Sequence, residues 1–310
     1  MNAFESWGRY PKTKQELKRL FWAQDFPVRN SATGSQLPAG MGRSYGDVCL
    51  NDGNTLLVAR GLNRLLAFDE RTGLLRCESG VTLSEILDFA VPRGWFLPVT
   101  PGTKFVTVGG AIANDVHGKN HHVAGTFGSH VPRFLLARTD GAQVECSSTR
   151  NAEWYSATIG GLGLTGLIQW AEVQLKPIVS RKISHQGFQF QGLDEFFALS
   201  AAHSDREYTV AWVDCVGTKG DEVRGIFMCG DHSKAQEARK ATPAPKLAVP
   251  IDFPGFVLNR ASVRLFNTAY FHKQLKKHVA AHPEVLATSA AEGTGIAEVR
   301  AALSELAKPE

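Results

Sequence analysis

The stretch "TVGGAIANDVHGKNHHVAGTFGSHV", residues 107–131, holds four of the ten histidines of this sequence, set among glycines and other small residues. Three interpretations are open: a metal site, a polar loop without a special task, and a backbone that lies against a flat cofactor. Glycine permits the last, because a residue without a Cβ atom lets the main chain approach a ring closely. The neighbouring segments help to decide between them.

The spacing of the histidines argues against a metal ion. Zinc sites with histidine ligands usually combine a compact ligand pair with a distant third ligand. His121 and His122 are adjacent, and in an extended chain neighbouring side chains point to opposite faces. The sequence contains neither an HExxH nor a CxxC motif. We therefore predict that this stretch binds no metal.

Two more glycine-rich segments lie near the histidine stretch. The first, "PAGMGRSYGD" (38–47), comes before it, and the second, "TPGTKFVTVGG" (100–110), overlaps its start. A glycine-rich turn exposes backbone N–H groups that can hold a pyrophosphate. Gly109 is predicted to meet the cofactor, so that a branched side chain there would abolish cofactor retention. Together, these segments predict one extended cofactor held by several loops.

A fourth segment, "GLGLTG" (161–166), matches the dinucleotide fingerprint G-x-G-x-x-G. That fingerprint requires a strand before it and a helix after it. Here a helix-like run precedes it and a strand-like run follows. A Rossmann site is therefore not expected, and we interpret these glycines as a tight turn that allows close backbone approach.

Composition narrows the function classes. The chain has 310 residues, 43% hydrophobic and 21% charged, which fits one large or two medium globular domains. The net charge of +4 comes without a basic block, so no nucleic-acid partner is predicted. Five scattered cysteines fit a reducing compartment. Without an apolar leader or spanning segment, we expect a cytoplasmic protein, with peripheral contact to the inner membrane left open.

Local patterns predict an α+β protein. Residues 53–81 alternate between short strands and turns, and a helix follows, capped by Thr82 and Glu85. A hairpin with an Asp140–Gly141 turn, a short helix in "AEWYSATIG" and a strand in "GLIQWAEVQLKPI" come next. The character changes near residue 178, where strands of a second sheet begin. The Pro/Ala/Lys-rich residues 233–256 are predicted to form a long connection.

In this order and spacing, "GMGRSYGD", "PGTKFVTVGGAIANDVHGKNHHVAGTFGSHV" and "WYSATIGGLGLTGLI" resemble the vanillyl-alcohol-oxidase-type flavoproteins. Within that family the likeness is closest to the 2′-oxidases of decaprenylphosphoryl-β-D-ribose in bacterial cell-wall arabinan synthesis. The resemblance covers about residues 5 to 272 and includes "AWVD" (211–214). It implies a two-part FAD-binding domain of the vanillyl-alcohol-oxidase (PCMH) type, residues 1–178. A truncated α+β substrate domain, residues 179–274, would follow.

The resemblance also implies which residues hold FAD. They lie in the glycine-rich segments and in the strand after the last one: Pro38, Ala39, Gly40, Met41, Gly42, Arg43, Ser44, Tyr45, Gly46, Asp47, Val48, Gly102, Thr107, Val108, Gly109, Gly110, Asn114, Asp115, Val116, His117 and Ile168.

The activity implied by the resemblance is FAD-dependent oxidation of a secondary alcohol on a polyprenyl-phosphate pentose. Tyr45 would lie near the isoalloxazine, with His117 and Lys119 on the substrate side. An NAD-dependent reductase is the implied partner. Two alternatives stay open: an oxidase of free sugars, alditols or sugar lactones on the same scaffold, and an inactive FAD-binding remnant.

Two departures from the family pattern are visible in the first glycine segment. Many relatives carry a histidine that bonds covalently to the flavin, and the matching position here is Arg43. Arginine cannot form that bond, so the resemblance implies non-covalent FAD. The family usually has arginine where this chain has Ala39, which removes one expected phosphate contact.

The resemblance to flavoproteins stops near residue 274. Residues 275–310 resemble the end of a small bacterial ribosome-assembly GTPase, with "ATSAAEGTG" (287–295) as its guanine-contacting loop. No G-x-x-x-x-G-K-[ST] motif occurs, so GTP hydrolysis is not expected. The family's catalytic base lies in a segment that this chain lacks, and we therefore expect impaired turnover.

Overall fold

The computed structural model describes residues 4–27, 34–216, 223–235, 257, 259–273 and 279–280. These residues divide into two compact units. The first is drawn from Met1–Gly118 and Ala124–Pro177, and the second from Lys119–Val123 and Ile178–Glu310. Both units combine helices with sheets, as the predicted α+β class requires.

The elements up to residue 177 follow one another in this order: β1 (Glu16–Arg19), β2 (Gln36–Ala39), β3 (Thr55–Val58), β4 (Leu65–Asp69), β5 (Leu74–Glu78), α1 (Leu83–Ala90), β6 (Trp95–Phe96), α2 (Val108–Ala113), α3 (His121–Ala124), β7 (Arg133–Ala137), β8 (Gln143–Ser147), α4 (Ala152–Thr158), β9 (Leu167–Gln174) and β10 (Lys176–Pro177). Short 3-10 turns cover Ala23–Asp25, Ala59–Gly61, Val91–Arg93 and Phe127–His130.

The first unit contains two main sheets. A three-stranded parallel sheet has the order β1-β3-β2, and a five-stranded antiparallel sheet has the order β4-β5-β9-β7-β8. A third, two-stranded ladder pairs β6 with β10. One apolar cluster joins the strand ends of both main sheets: Leu20, Leu57, Ala59, Leu62, Ala137 and Leu167. Burying each leucine contributes about 2 kcal/mol, so this cluster stabilises the junction of the two sheets.

Helix α1 forms as the sequence predicts. Thr82 is its N-cap, the Thr82 hydroxyl accepts the Glu85 N–H, and the Glu85 carboxylate accepts the Thr82 N–H. Leu83, Ile86 and Ala90 are buried on the apolar face. The three predicted strands before it, the Asp140–Gly141 hairpin, the short helix and the strand after it are confirmed as well.

The second unit adds β11 (Ile183–Gln191), α5 (Leu193–Ala202), β12 (Tyr208–Asp214), β13 (Arg224–His232), α6 (Arg260–Lys273) and β14 (Val279–Ala280). Its antiparallel sheet has the order β12-β13-β11-β14. The predicted strands of the second sheet are confirmed as β12 and β13, whereas β11 and α5 were not predicted. Phe190, Phe227 and Cys229 form its buried core.

A buried carboxylate fastens α6 to this sheet. Asp214, at the end of β12, is 1% exposed and accepts hydrogen bonds from Arg224 at 2.8 Å and Asn267 at 2.7 Å. A buried charge requires such partners, because an unpaired one is costly away from water. This pairing explains why a polar asparagine faces the sheet from α6.

Some predictions fall on other parts of the chain. Most of the predicted connection 233–256, and the tail 275–310 apart from Val279–Ala280, lie outside the described residues. The likeness of the tail to a GTPase therefore stays a prediction. In the helices that the structure does describe, none is long and apolar enough to cross a membrane.

Candidate functional site

Three glycine-rich segments meet in the first unit. A Cβ atom on Gly40, just after β2, would collide with the Thr107 side chain, so the first segment touches the second directly. The glycine-rich segment 161–166 packs on the end of α2, where Leu162 N–H donates to Ala113 O at 2.8 Å. A Cβ atom on Gly163 would also lie 3.5 Å from Pro38 O. The structure thus brings together segments more than a hundred residues apart.

The second segment begins a helix instead of forming only a loop. Thr107 is the N-cap of α2, and its hydroxyl accepts the Gly110 N–H at 3.1 Å. The N–H groups of Val108 and Gly109 donate to Val81 O and Ser79 O, both at 2.8 Å. The donors of the first helical turn are therefore already bonded within the protein, and a phosphate must find its donors elsewhere.

Gly109 meets protein where the sequence analysis expected a cofactor. A Cβ atom at this position would lie 2.8 Å from the Ser79 Cβ, closer than real side-chain carbons approach. The glycine is therefore required for the packing of α2 against the end of β5. A side chain at Gly109 would point at Ser79, which the local sequence does not reveal, and the expected contact of its backbone with the cofactor stays a prediction.

Residues 41–47 of the first segment are different, because several of their backbone donors bond no described protein atom. Gly42 and Gly46 adopt left-handed φ angles of 63° and 59°. Among the residues that the structure describes, the N–H groups of Gly42, Tyr45 and Gly46 donate no hydrogen bond to protein, whereas that of Ser44 donates to the Cys49 sulfur. Successive N–H groups in such turns form concave anion sites. This loop therefore carries donors of the kind that a diphosphate requires.

Arg43 adds a positive charge to the same loop. Its guanidinium donates to Met41 O at 2.7 Å and lies 5.7 Å from the centre of the Trp7 ring. Burial lowers the pKa of Arg43, but an arginine stays protonated at neutral pH. Tyr45 beside it is 76% exposed. The loop thus offers free N–H groups, a cation and an exposed aromatic ring.

The segment after α2 carries the exposed polar groups Asn114 and His117. Asn114 Nδ2 donates to Gly110 O at 2.8 Å, and His117 pairs with Thr126 in a short antiparallel bridge. Lys119, two residues later, belongs to the second unit, where its carbonyl accepts the Thr209 N–H at 2.9 Å. Burial lowers the pKa of the Lys119 ammonium. The structure therefore places His117 and Lys119 in different units.

The remaining candidate residues differ in exposure. Gly102 is exposed, and a Cβ atom there would meet no atom within 4 Å. Ile168 is 5% exposed and lies in β9, paired with Leu136 of β7. Val108 is fully buried, and its N–H donates to Val81 O. Open space at Gly102 and at Gly46 leaves room for a cofactor beside both glycines.

Two histidines of the quoted stretch lie at hydrogen-bond distance from backbone carbonyls. His121 and His122 lie in the helical turn α3, so the assumption of an extended chain at this point is wrong. His122 Nε2 is 2.7 Å from Arg206 O, and His130 Nε2 is 2.8 Å from Ala124 O. Across the described ranges, no three side chains of His, Cys, Asp or Glu are grouped so that they could hold a metal ion.

Ser79, which follows β5 and contacts the start of α2, was not identified from the sequence. Its backbone joins Gln169 of β9 to Gly109, with Ser79 N–H donating to Gln169 O at 3.1 Å. Its hydroxyl is buried, and the described part of the chain offers it no hydrogen-bond partner. The signal in the sequence is slight: a serine and a glycine between a strand and a helix cap.

The chemistry of these groups fits FAD, which combines a flat ring with a diphosphate. The loop 41–47 supplies donors and a guanidinium for phosphate oxygens, and Gly46 and Gly102 border open space. Guanidinium and backbone N–H groups both form strong, charge-assisted hydrogen bonds with phosphate. The residues present therefore suit the cofactor that the sequence suggests.

Comparison with known proteins agrees. Residues 22–147 match the model of a family described as FAD binding domain. The chain is 34% identical over 245 residues to decaprenylphosphoryl-beta-D-ribose oxidase of Mycolicibacterium smegmatis, which covers 76% of this chain and 53% of the relative. It is 36% identical over 181 residues to an uncharacterised protein of Streptomyces coelicolor, covering 56% and 49%. L-gulonolactone oxidase of Mus musculus is 29% identical over 140 residues, covering 44% and 31%.

Residues 22–147 therefore match an FAD-binding domain, and the chain is similar to an FAD-dependent oxidoreductase over most of its length. The predicted family resemblance and the FAD cofactor are confirmed. The chain spans about half the length of the first two relatives. The matched range includes both the loop 41–47 and helix α2.

Proposed function

We propose that this chain is part of an FAD-dependent oxidoreductase that oxidises a secondary alcohol on a polyprenyl-phosphate pentose. The extent of one similarity carries the proposal. The 245 residues matched to the decaprenylphosphoryl-beta-D-ribose oxidase are more than the first unit contains, so the match continues into the second unit. The 140 residues matched to L-gulonolactone oxidase could all lie within the first unit.

The proposed cofactor residues are those named from the sequence, with roles refined by their contacts. The free N–H groups of the loop 41–47, together with Arg43, would hold the diphosphate. Residues 107–110 and 114–117 would lie along the ring through their backbones. Bound FAD would supply the acceptor for the hydride of the carbinol carbon, which is chemistry that no side chain can provide.

His117 and Lys119 are proposed to serve the substrate. The exposed imidazole of His117 can hydrogen-bond a sugar hydroxyl and hold it in place. Burial lowers the pKa of Lys119, and an anionic phosphate beside it would favour the charged ammonium again.

The keto sugar produced in this way would be the substrate of a second, NAD-dependent reductase, which we propose as the partner. A polyprenyl substrate would also bring the protein to a membrane surface. The reductase follows because a keto group can be reduced. The membrane contact follows because a polyprenyl chain is insoluble in water.

We further propose that FAD is held without a covalent bond, because Arg43 occupies the position at which many relatives attach the flavin. Acid precipitation of purified protein should release all flavin into the supernatant. The measurement is the visible absorbance of the supernatant and of the redissolved pellet. Yellow colour that stays with the pellet would contradict this proposal.

The substrate is tested by adding candidates to the FAD-loaded chain without oxygen. Decaprenylphosphoryl ribose in detergent should perturb the flavin spectrum and bleach it slowly, as the expected impairment of turnover requires, while L-gulonolactone, xylitol and free ribose should not. Lys119→Met keeps a side chain of similar length without the charge, and should weaken the response to the phosphorylated substrate by about tenfold.

The outcomes separate the alternatives. Faster bleaching by the lactone or the alditol would replace the proposed substrate with a free sugar derivative. Bound FAD that responds to none of these compounds would favour an inactive FAD-binding remnant. A chain that binds no FAD would contradict the proposal at its first step.

A further inference from the structure

The turn that follows α2 contains an acidic residue in an unusual conformation. Asp115 has a left-handed φ of 41°, although it is not a glycine. L-residues avoid this region, and Asn and Asp enter it most readily because their short polar side chains can bond locally. The backbone on both sides is bonded to the helix, with Asp115 N–H to Ile112 O and Val116 N–H to Ala111 O, both at 3.0 Å.

The Asp115 carboxylate reaches the other end of the loop. Its Oδ1 accepts the backbone N–H of Gly128 at 2.9 Å, thirteen residues further along the chain. Phe127 N–H donates to Val116 O at 2.9 Å, next to the first bond. His117 and Thr126 pair just inside them. These contacts close the base of the loop 116–127.

The position of Gly128 is as constrained as that of Asp115. A Cβ atom on Gly128 would lie 2.8 Å from Asp115 Oδ1 and would collide with the Ile159 side chain. Glycine is therefore needed for the carboxylate to approach the N–H. Nearby, the pKa of Tyr155 is raised, first by burial and then by the negative charge of Asp115. Tyr155 OH donates to Val131 O at 2.7 Å, which leaves the carboxylate to Gly128.

We propose that Asp115 is a positioning residue whose carboxylate clamps the base of the loop 116–127 and so sets the direction of His117 and of the backbone at 114–117. This inference rests on the proposed function, since those groups are the ones assigned to FAD and substrate. The side chain of Asp115 thus acts through Gly128, while its backbone stays available to the cofactor.

Three substitutions separate the conformation from the hydrogen bond. Asp115→Asn keeps both, because asparagine tolerates a positive φ and its amide oxygen can accept the same N–H. Asp115→Gly keeps the conformation without the acceptor. Asp115→Ala loses both. Gly128→Ala breaks the clamp from the opposite side by moving the N–H away.

Asp140 offers a matched control. In the hairpin turn between β7 and β8, its Oδ1 also accepts a backbone N–H, that of Ala142 at 2.9 Å. Asp140→Ala removes a comparable hydrogen bond at an exposed turn without touching the loop 116–127. Any change shared by Asp140→Ala and Asp115→Ala would be a general effect on folding.

The first measurement is hydrogen–deuterium exchange of peptides covering 116–128 in the FAD-free chain. The second is the dissociation constant of FAD, read together with the visible spectrum of the bound flavin. Asp115→Ala, Asp115→Gly and Gly128→Ala should speed exchange in these peptides and weaken FAD binding by about tenfold, with a changed flavin spectrum. Asp140→Ala should match the parent within about twofold, and Asp115→Asn, which keeps the acceptor, should lie closer to the parent than Asp115→Ala does.

Two results would overturn the inference. Unchanged exchange in Asp115→Ala would show that the carboxylate does not close the loop. Faster exchange with unaltered FAD affinity and spectrum would show that the clamp does not serve the site. A parent chain that binds no FAD would instead contradict the proposed function, while the exchange of the FAD-free variants would still decide whether Asp115 closes the loop.

Discussion

Two glycine-rich segments of the first unit look alike in composition and differ in what their backbones do. In the loop 41–47, the N–H groups of Gly42 and Gly46 donate to no described protein atom. At the start of α2, the N–H groups of Val108, Gly109 and Gly110 all donate within the protein. The first segment can offer donors to a ligand, and the second has placed them in the fold. Glycine content alone does not separate these roles.

The largest expected effect breaks the second segment. Gly109→Val would place a branched side chain on Ser79, so α2 could not lie against the end of β5. We expect a loss of about 3 kcal/mol of unfolding free energy, as for overpacked cores, and FAD would be lost with the fold. Thermal unfolding of the FAD-free protein measures the change.

Gly102→Ala is the control for that substitution, because a Cβ atom there meets nothing within 4 Å. It should leave the melting temperature unchanged. If Gly109→Val melts at the same temperature as Gly102→Ala, then Gly109 is not required for packing and the contrast between the segments fails.

The second effect concerns the loop 41–47. Gly46→Ala adds a methyl group in open space but forces an L-residue into φ 59°, which costs about 1 kcal/mol. The loop should change shape to relieve this strain, so FAD affinity should fall by about tenfold while the fold persists. Titration of the FAD-free chain with FAD measures it.

Gly53 supplies a matched position, with φ 71° and no atom near its Cβ direction. Gly53→Ala should cost similar stability and leave FAD affinity unchanged. Equal losses of affinity in both variants would mean that Gly46 affects FAD only through general strain.

A smaller effect is expected at Ser79, the residue that follows the end of β5. Its buried hydroxyl has no hydrogen-bond partner in the described part of the molecule. Ser79→Ala should therefore be neutral or stabilise the protein by about 1 kcal/mol. In contrast, Ser180 Oγ accepts the Lys182 N–H at 3.1 Å, so Ser180→Ala should destabilise the protein. A clear loss of stability in Ser79→Ala would reveal a partner for that hydroxyl.

The smallest effect is expected from chelation. His122 Nε2 and His130 Nε2 already lie at hydrogen-bond distance from backbone carbonyls. EDTA should therefore change neither the melting temperature nor the FAD content. Stoichiometric zinc that is lost together with a His121→Ala or His122→Ala substitution would show that the histidine stretch is a metal site.

Much of the fold could be predicted because the signals are local. A capping box at Thr82 and Glu85, an Asp-Gly turn at 140–141 and alternating strands each depend on a few neighbouring residues. Helix α2 was not predicted, since "VGGAIA" contains two glycines, which are poor helix formers. Its local cap at Thr107 and its packing on Ser79 offset that weakness, and only the packing is a tertiary contact.

The candidate site shows the same division. Gly40, Gly42 and Gly46 could be selected from the sequence as residues that allow unusual backbone, and the family resemblance supplied FAD. The sequence could not tell that Gly109 faces Ser79 or that Asp115 reaches Gly128, because each contact joins residues separated along the chain.

By itself, then, the sequence determined the α+β class and many of the local elements, since capping and turn chemistry are properties of short stretches. The order of its motifs supplied the family resemblance, and with it the cofactor. Only the tertiary structure decided which backbone donors remain for a ligand. Each N–H group can satisfy one strong acceptor. The N–H of Gly109 that donates to Ser79 O cannot serve a phosphate as well, whereas that of Gly46 has no such acceptor among the residues that the structure describes. Whether an acceptor lies beside a given glycine depends on how distant strands and helices pack.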